Sequence, residues 1–193
     1  AAFVEIHTDV GLVGVGETYM GYFFPELVPH VVDYIRPILV DGQTTDPLTL
    51  TARMRGCLGF WARVGAGAAA LAGVEAALWD LAGRAEGVPV HELLGGRRHE
   101  RLPAYATGGP SPWPVEELKR KMDRYRELGF TAMKVATGYF DMATRAEIPA
   151  PTGAAEFEAA KVEMMRAHLG TDFGIMLDGH MGHREGMTRW TAG

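Results

Sequence analysis

Asp178, Gly179 and His180 follow a short apolar run, Ile175-Met176-Leu177, and His183 lies close behind. A strand that ends in a carboxylate, with an imidazole two residues on, can hold a hard cation and move a proton at one place. Lys134, inside TAMKVA (Thr131–Ala136), is a second charge that a strand would carry. Side chains alternate across a strand, so Lys134 shares a face with Ala132 and Ala136, and Asp178 shares one with Met176 and Gly174. Met133, Val135, Phe173, Ile175 and Leu177 then face the covering helices. A charge on the inner face needs a partner or a metal. Lys134 and Asp178 are either a structural ion pair or members of one site, and spacing leaves both readings open. One aspartate is not a magnesium site, which takes about six oxygens. An acid at a strand end also serves as an ordinary turn residue.

The surrounding pattern supplies the elements that must position these groups. Phe3–His7 alternates, Asp9-Val10-Gly11 turns, and Leu12–Glu17 resumes, which predicts a hairpin. Gly14 and Gly16 share one face of its second strand, where a neighbouring backbone can approach. GLVGVGE lacks the strand–glycine loop–helix context of a phosphate loop and is not read as one. Thr18–Phe24 and Phe60–Gly65 are aromatic, glycine-bearing loops, read either as core or as lids. Pro25 opens a helix with Leu27, Val31, Tyr34 and Ile35 on its stripe, and Asp46-Pro47 caps a second through Leu48, Leu50, Met54 and Cys57. A long alanine-rich helix runs from Gly67 to about Glu86, with Leu71, Val74, Leu78 and Leu81 as its stripe.

The polar stretch GGRRHER (95–101) marks a domain boundary, giving domains over 1–98 and 99–193. Beyond it, strands are expected at Leu102–Thr107, Thr131–Ala136 and Phe173–Asp178. Helices are expected at Pro114–Leu128, at Glu156–Leu169 and from Glu185 onward. Strand–helix alternation at this spacing predicts a parallel sheet, either doubly wound or the first part of a (β/α)8 barrel. The connection 137–155 is unusually long and follows a strand's C-terminal end, the side on which α/β folds bind ligands.

The 193 residues carry a formal charge of −5, which disfavours a nucleic-acid partner. With 47% hydrophobic and 22% charged residues, the composition is that of a globular protein. The chain contains no apolar run of membrane-spanning length and no leader-like start, so no membrane partner is expected. The single cysteine, Cys57, cannot form an internal disulfide, which fits a cytoplasmic location.

ALAGVEAALWDLAGRAEGVPVHELLGG (Ala70–Gly96) resembles the signature helix of the mandelate racemase and muconate lactonizing branch of the enolase superfamily. The hairpin into GLVGVGET and the stretch FWARVGAGAAALAG resemble that family's N-terminal strands and the loop before its helix. MKVATG and IMLDGHMG sit where its second and third barrel strands fall. The resemblance covers nearly the whole chain. It implies an α/β protein: an α+β capping domain (its first strand missing here), then the first three βα units of a (β/α)7β TIM-like barrel.

The resemblance also implies a chemistry. Family members use Mg2+, held by acids at three successive barrel strands, while a base removes the proton alpha to a substrate carboxylate. Asp178 matches the first metal ligand. Lys134 matches the first lysine of a K-x-K motif, as a base or a carboxylate-binding cation; Ala136 replaces the second lysine, which argues against lysine-based racemase chemistry. Asp178-Gly179-His180 replaces the usual Asp-x-Asn and resembles acid-sugar dehydratases, with His180 as acid/base. Glu17, Tyr19, Trp61 and Arg63 of the capping loops, and Tyr139 and Arg145 of the long connection, are candidate substrate contacts. The expected activity is dehydration of an acid sugar to a 2-keto-3-deoxy acid. The alternatives are a racemase, epimerase or cycloisomerase, or an inactive binding or oligomerisation scaffold. A homo-oligomer, dimer or octamer, is implied. The chain reads as a piece of one about twice as long, inactive by itself because later metal ligands are absent.

Overall fold

The computed structural model describes residues 1–22, 24–40, 42, 44–108, 115–136, 140–141, 146–147 and 152–178. They divide into two compact units, Ala1–Glu100 and Arg101–Gly193.

In the first unit, β1 (Ala2–His7) and β2 (Val13–Thr18) pair antiparallel, with Val4 opposite Gly16 and Ile6 opposite Gly14. Three helices follow: α1 (Leu27–Leu39), α2 (Pro47–Leu58) and α3 (Gly65–Glu86), then the single turn α4 (Val90–Leu93). Asp46 caps α2 by accepting from the Thr49 N–H at 2.8 Å, and Pro47 needs no N–H at that position. Gly87 ends α3 in the left-handed region at φ +70°, where its own N–H and that of Val88 close on the last carbonyls.

The centre of this unit is the contact of the hairpin with α3. A Cβ on Gly16 would lie 2.0 Å from the Gly73 carbonyl oxygen, and one on Gly14 would lie 2.2 Å from that of Ala77. The strand therefore rests on the helix backbone, and the glycines are required by contact rather than by dihedral freedom. Val74, Ala77 and Leu71 are buried beneath it, with Ile35 of α1 and Met54 of α2. Asp80 of α3 accepts the Val15 N–H at 2.9 Å, which ties the exposed side of β2 to the helix.

Several expectations shift. The first helix begins at Leu27, two residues after Pro25, and its buried face is Val28 and Ile35 while Leu27 and Tyr34 are exposed. On α2, Leu48 and Cys57 face outward and Leu58 takes the inner position. The buried face of each helix is the one that joins the common core with α3: Val28 and Ile35 on α1, and Leu50, Met54 and Leu58 on α2. The two aromatic loops are 3-10 turns, Tyr19–Tyr22 and Gly59–Ala62. Each buries one small or flexible side chain, Met20 or Ala62, and exposes its aromatic rings.

In the second unit, β3 (Ala106–Thr107), β4 (Ala132–Ala136) and β7 (Gly174–Asp178) form a parallel sheet with β4 in the centre. Helices α5 (Val115–Glu127) and α6 (Ala154–Leu169) provide the crossovers. Met122, Met133 and Met165 are fully buried between sheet and helices, with Leu118, Val135 and Phe173. The expected strand from Leu102 shrinks to two residues, since Pro103 offers no N–H and Leu102 is exposed at the sheet edge. Leu177 keeps 48% of its surface exposed instead of packing under a helix: among the described residues β7 is the other outer strand of the sheet, and the buried cluster takes Ile175 but not its C-terminal end. The long connection contains a short antiparallel pairing of β5 (Phe140–Asp141) with β6 (Ala146–Glu147).

Two arginines fix the turn into β7. Arg166 donates to the carbonyls of Gly170 and Phe173, each at 2.7 Å, and Arg126 donates to that of Leu169 at 2.6 Å. They satisfy the last helical carbonyl of α6 and two carbonyls of the turn that leads into β7. None of the described helices is long and apolar enough to cross a membrane.

Candidate active site

Lys134 lies mid-strand on β4, and Asp178 is the last residue of β7. The register places Lys134 beside Met176 and Ala136 beside Asp178, so the lysine side chain reaches two residues toward the C-terminal end. Its Nζ donates to Asp178 Oδ2 at 2.6 Å, with both side chains 29% exposed. The hydrogen bond from Lys134 to Asp178 holds the ammonium above its usual pKa; desolvation opposes this, and the charges of Asp178 and Tyr105 add to it. In this state the pair is a cation and a carboxylate on the inner face, at the end of the sheet where α/β folds bind ligands. Met133 and Val135, on the other face of β4, are buried.

As donors, the described residues suit magnesium only in part. Asp178 offers the hard oxygen that such an ion takes, and the described residues contain no group of three acids, histidines or cysteines that could hold a metal. His180 and His183 lie outside the described residues, as do Tyr139 and Arg145.

The capping-unit candidates are described within their own unit. Glu17 is on β2 between buried Gly16 and Thr18, so it points to the exposed face of the hairpin. Tyr19 is 73% exposed and stacks on Tyr22, with ring centroids 6.0 Å apart. Thr18, buried beneath this turn, donates to the Ala69 carbonyl at 2.5 Å. Trp61 is 74% exposed. Arg63 lies 5.3 Å from the centre of the Phe60 ring and, with Arg55, lines an open cleft of about 590 Å³. Arg55, which the sequence reading passed over, is 3.3 Å from Glu75.

A second omission is on α6. Glu158 and Lys161 share its buried stripe with Met165 and Leu169. The signal was present as two charges at the i and i+3 positions of an otherwise apolar face.

Residues 1–95 match the family described as mandelate racemase / muconate lactonizing enzyme, N-terminal domain. The chain belongs to this branch of the enolase superfamily. Its first unit is the α+β capping domain, and its second carries the opening parallel strands of the superfamily's barrel. This enolase-superfamily chain is 30% identical to a D-mannonate dehydratase of Rhizorhabdus wittichii, over 70% of its own length and 33% of the relative's. It is 30% identical to a 3,6-anhydro-alpha-L-galactonate cycloisomerase of Streptomyces coelicolor, over 92% and 46%. The crystal structure of a racemase from Streptomyces coelicolor with bound magnesium superposes with a TM-score of 0.76 at 29% identity, covering 93% of this chain and 50% of that one. The chain thus spans about a third to a half of the length of the relatives it matches.

Proposed function

We propose that this enolase-superfamily protein removes the proton alpha to a carboxylate in a magnesium-dependent reaction and dehydrates an acid sugar to a 2-keto-3-deoxy acid. The observation that carries the reading is the Lys134–Asp178 pair at the C-terminal end of the parallel sheet, with His180 two residues past the acid in sequence.

Asp178 would hold the metal as one of its oxygen ligands. When bound, magnesium supplies positive charge opposite the negative charge that develops as the alpha proton leaves. Lys134, charged and on the inner face, binds and orients the substrate carboxylate through its Nζ. His180, as the acid/base group, takes the alpha proton on its imidazole and then, as the imidazolium, gives a proton to the departing beta-hydroxyl, which leaves as water. Loss of the alpha proton and the beta-hydroxyl leaves an enol, which tautomerises to the 2-keto acid. Tyr19, Trp61, Arg63 and Glu17, with Tyr139 and Arg145, are carried in this proposal as substrate contacts. The R. wittichii relative's name supports dehydration for this chain.

A second reading is a cycloisomerase or racemase, favoured by the names of the two S. coelicolor relatives. Screening the longest chain that the reading frame encodes against aldonic and aldaric acids separates the two, because only dehydration yields a 2-keto-3-deoxy product. His180→Asn should abolish that product and spare magnesium binding. Full activity in this variant would remove His180 from the mechanism. An absence of turnover with every acid, alongside intact magnesium binding, would favour a binding scaffold.

A further inference from the structure

The Glu158–Lys161 pair has no part in the chemistry above, yet its side chains are only 4% and 6% exposed. Its setting is costly. Burying two charges takes several kcal/mol per ion out of hydration, and apolar replacements for such pairs are often neutral or stabilising. Glu158 lies against Lys161 as an ion pair, while among the described residues neither of its buried oxygens accepts a well-aligned hydrogen bond. Stability alone is a weak reason for these residues to occupy a stripe that continues as Met165 and Leu169.

A second contact of the lysine suggests a different role. Lys161 Nζ donates to the Ala136 carbonyl at 3.3 Å. Ala136 is the last residue of β4 and the register partner of Asp178. Lys134 stands two residues earlier on the same strand. On its other edge, β4 is held at this level by the Gly108 N–H, which donates to the Lys134 carbonyl at 3.1 Å. The end of β4 is thus fastened by a helix side chain where the sheet delivers its charged pair. Ala136 stands where the family motif would place a second lysine, and an ammonium reaches its carbonyl from α6 instead. Lys161 is buried, and among the described residues it meets the strand end through the Ala136 carbonyl.

We propose that Lys161 is a positioning residue: it anchors the C-terminal end of β4 and so aligns Lys134 with Asp178, while Glu158 lies against the anchoring side chain inside the core. The inference rests on the reading of Lys134 and Asp178 as site residues. The anchoring itself is tested without substrate or turnover, so it can fail independently of that reading.

The test compares two double variants of this chain. Glu158→Leu/Lys161→Met removes the charges while filling the space. Its denaturation midpoint should equal or exceed the parent's. Amide exchange at Val135, Ala136 and Leu177 should still become about tenfold faster relative to Met133 and Ile175, the size of one lost hydrogen bond. The 15N resonance of the Lys134 ammonium should move toward that seen in Asp178→Asn. Glu158→Lys/Lys161→Glu restores a buried pair but sets an acceptor against the Ala136 carbonyl, so it should show the same loosened strand end. Unchanged exchange and an unchanged Lys134 resonance in the apolar variant would overturn the proposal. So would recovery of both in the swapped variant, because any buried pair would then serve.

Discussion

Lys134 spans two residues of register to meet Asp178: the acid's backbone is beside Ala136, and the lysine closes the offset with a 2.6 Å hydrogen bond. The bond joins β4 to β7 beside Leu177, which is half exposed. It is both a candidate piece of chemistry and a fastening of β7.

The pair makes an alkaline prediction. The folded state raises the Lys134 pKa above its ordinary 10.5, so the pair's contribution is fully present below that value and is lost as pH rises through the folded pKa. Urea unfolding at pH 8 and near pH 11 should show a larger loss of stability on alkalinisation in the parent than in Asp178→Asn. Equal losses would mean that the carboxylate does not hold the ammonium.

Asp80 makes the opposite prediction. The hydrogen bond from Arg84 at 2.8 Å, followed by that from the Val15 N–H, holds its carboxyl below the ordinary value of 3.8. Its contribution is present above that pH and disappears as pH falls through the folded pKa. Asp80→Ala should cost about 1–2 kcal/mol at pH 7 by chemical denaturation, and the gap from the parent should close as pH falls below 3.8 through the folded pKa.

Gly16 allows a steric test. An added methyl would meet the Gly73 carbonyl at 2.0 Å, a backbone atom that cannot swing aside. Gly16→Ala should destabilise the capping unit by about 3 kcal/mol, with hydrogen exchange rising across β1, β2 and α3. Gly11→Ala should act by another route: its site has open space, but its φ of +82° is unfavourable for alanine, so the cost should be about 1 kcal/mol and confined to the hairpin turn.

Metal binding tests the role of Asp178. Magnesium titration of the parent, followed by the Lys134 ammonium resonance, should displace the lysine from the carboxylate at millimolar or higher concentration, because one protein carboxylate gives little affinity. Asp178→Asn should abolish the response. A response that survives would place the ion elsewhere.

Local sequence determined a good part of this protein. The Asp46-Pro47 cap, the hairpin, the α3 stripe and the in–out alternation of β4 are set by dihedral preference and by periods of 3.6 and 2, which neighbouring residues alone express. The signature helix carried the family, and with it the capping domain and the parallel strands. Tertiary packing decided what depends on groups far apart in the chain. Gly73 met Gly16 across 57 positions, and the assembled core buried Val28 and Ile35 of α1 while it left Leu27 and Tyr34 exposed. Lys161 reached Ala136 across 25 positions because a helix crossover brought it over the strand end. Whether a charge is buried, and which carbonyl it serves, depends on the element packed above it. A sequence pattern shows the face on which Lys134, Glu158 and Lys161 lie; only the assembled sheet and helices show what each one touches.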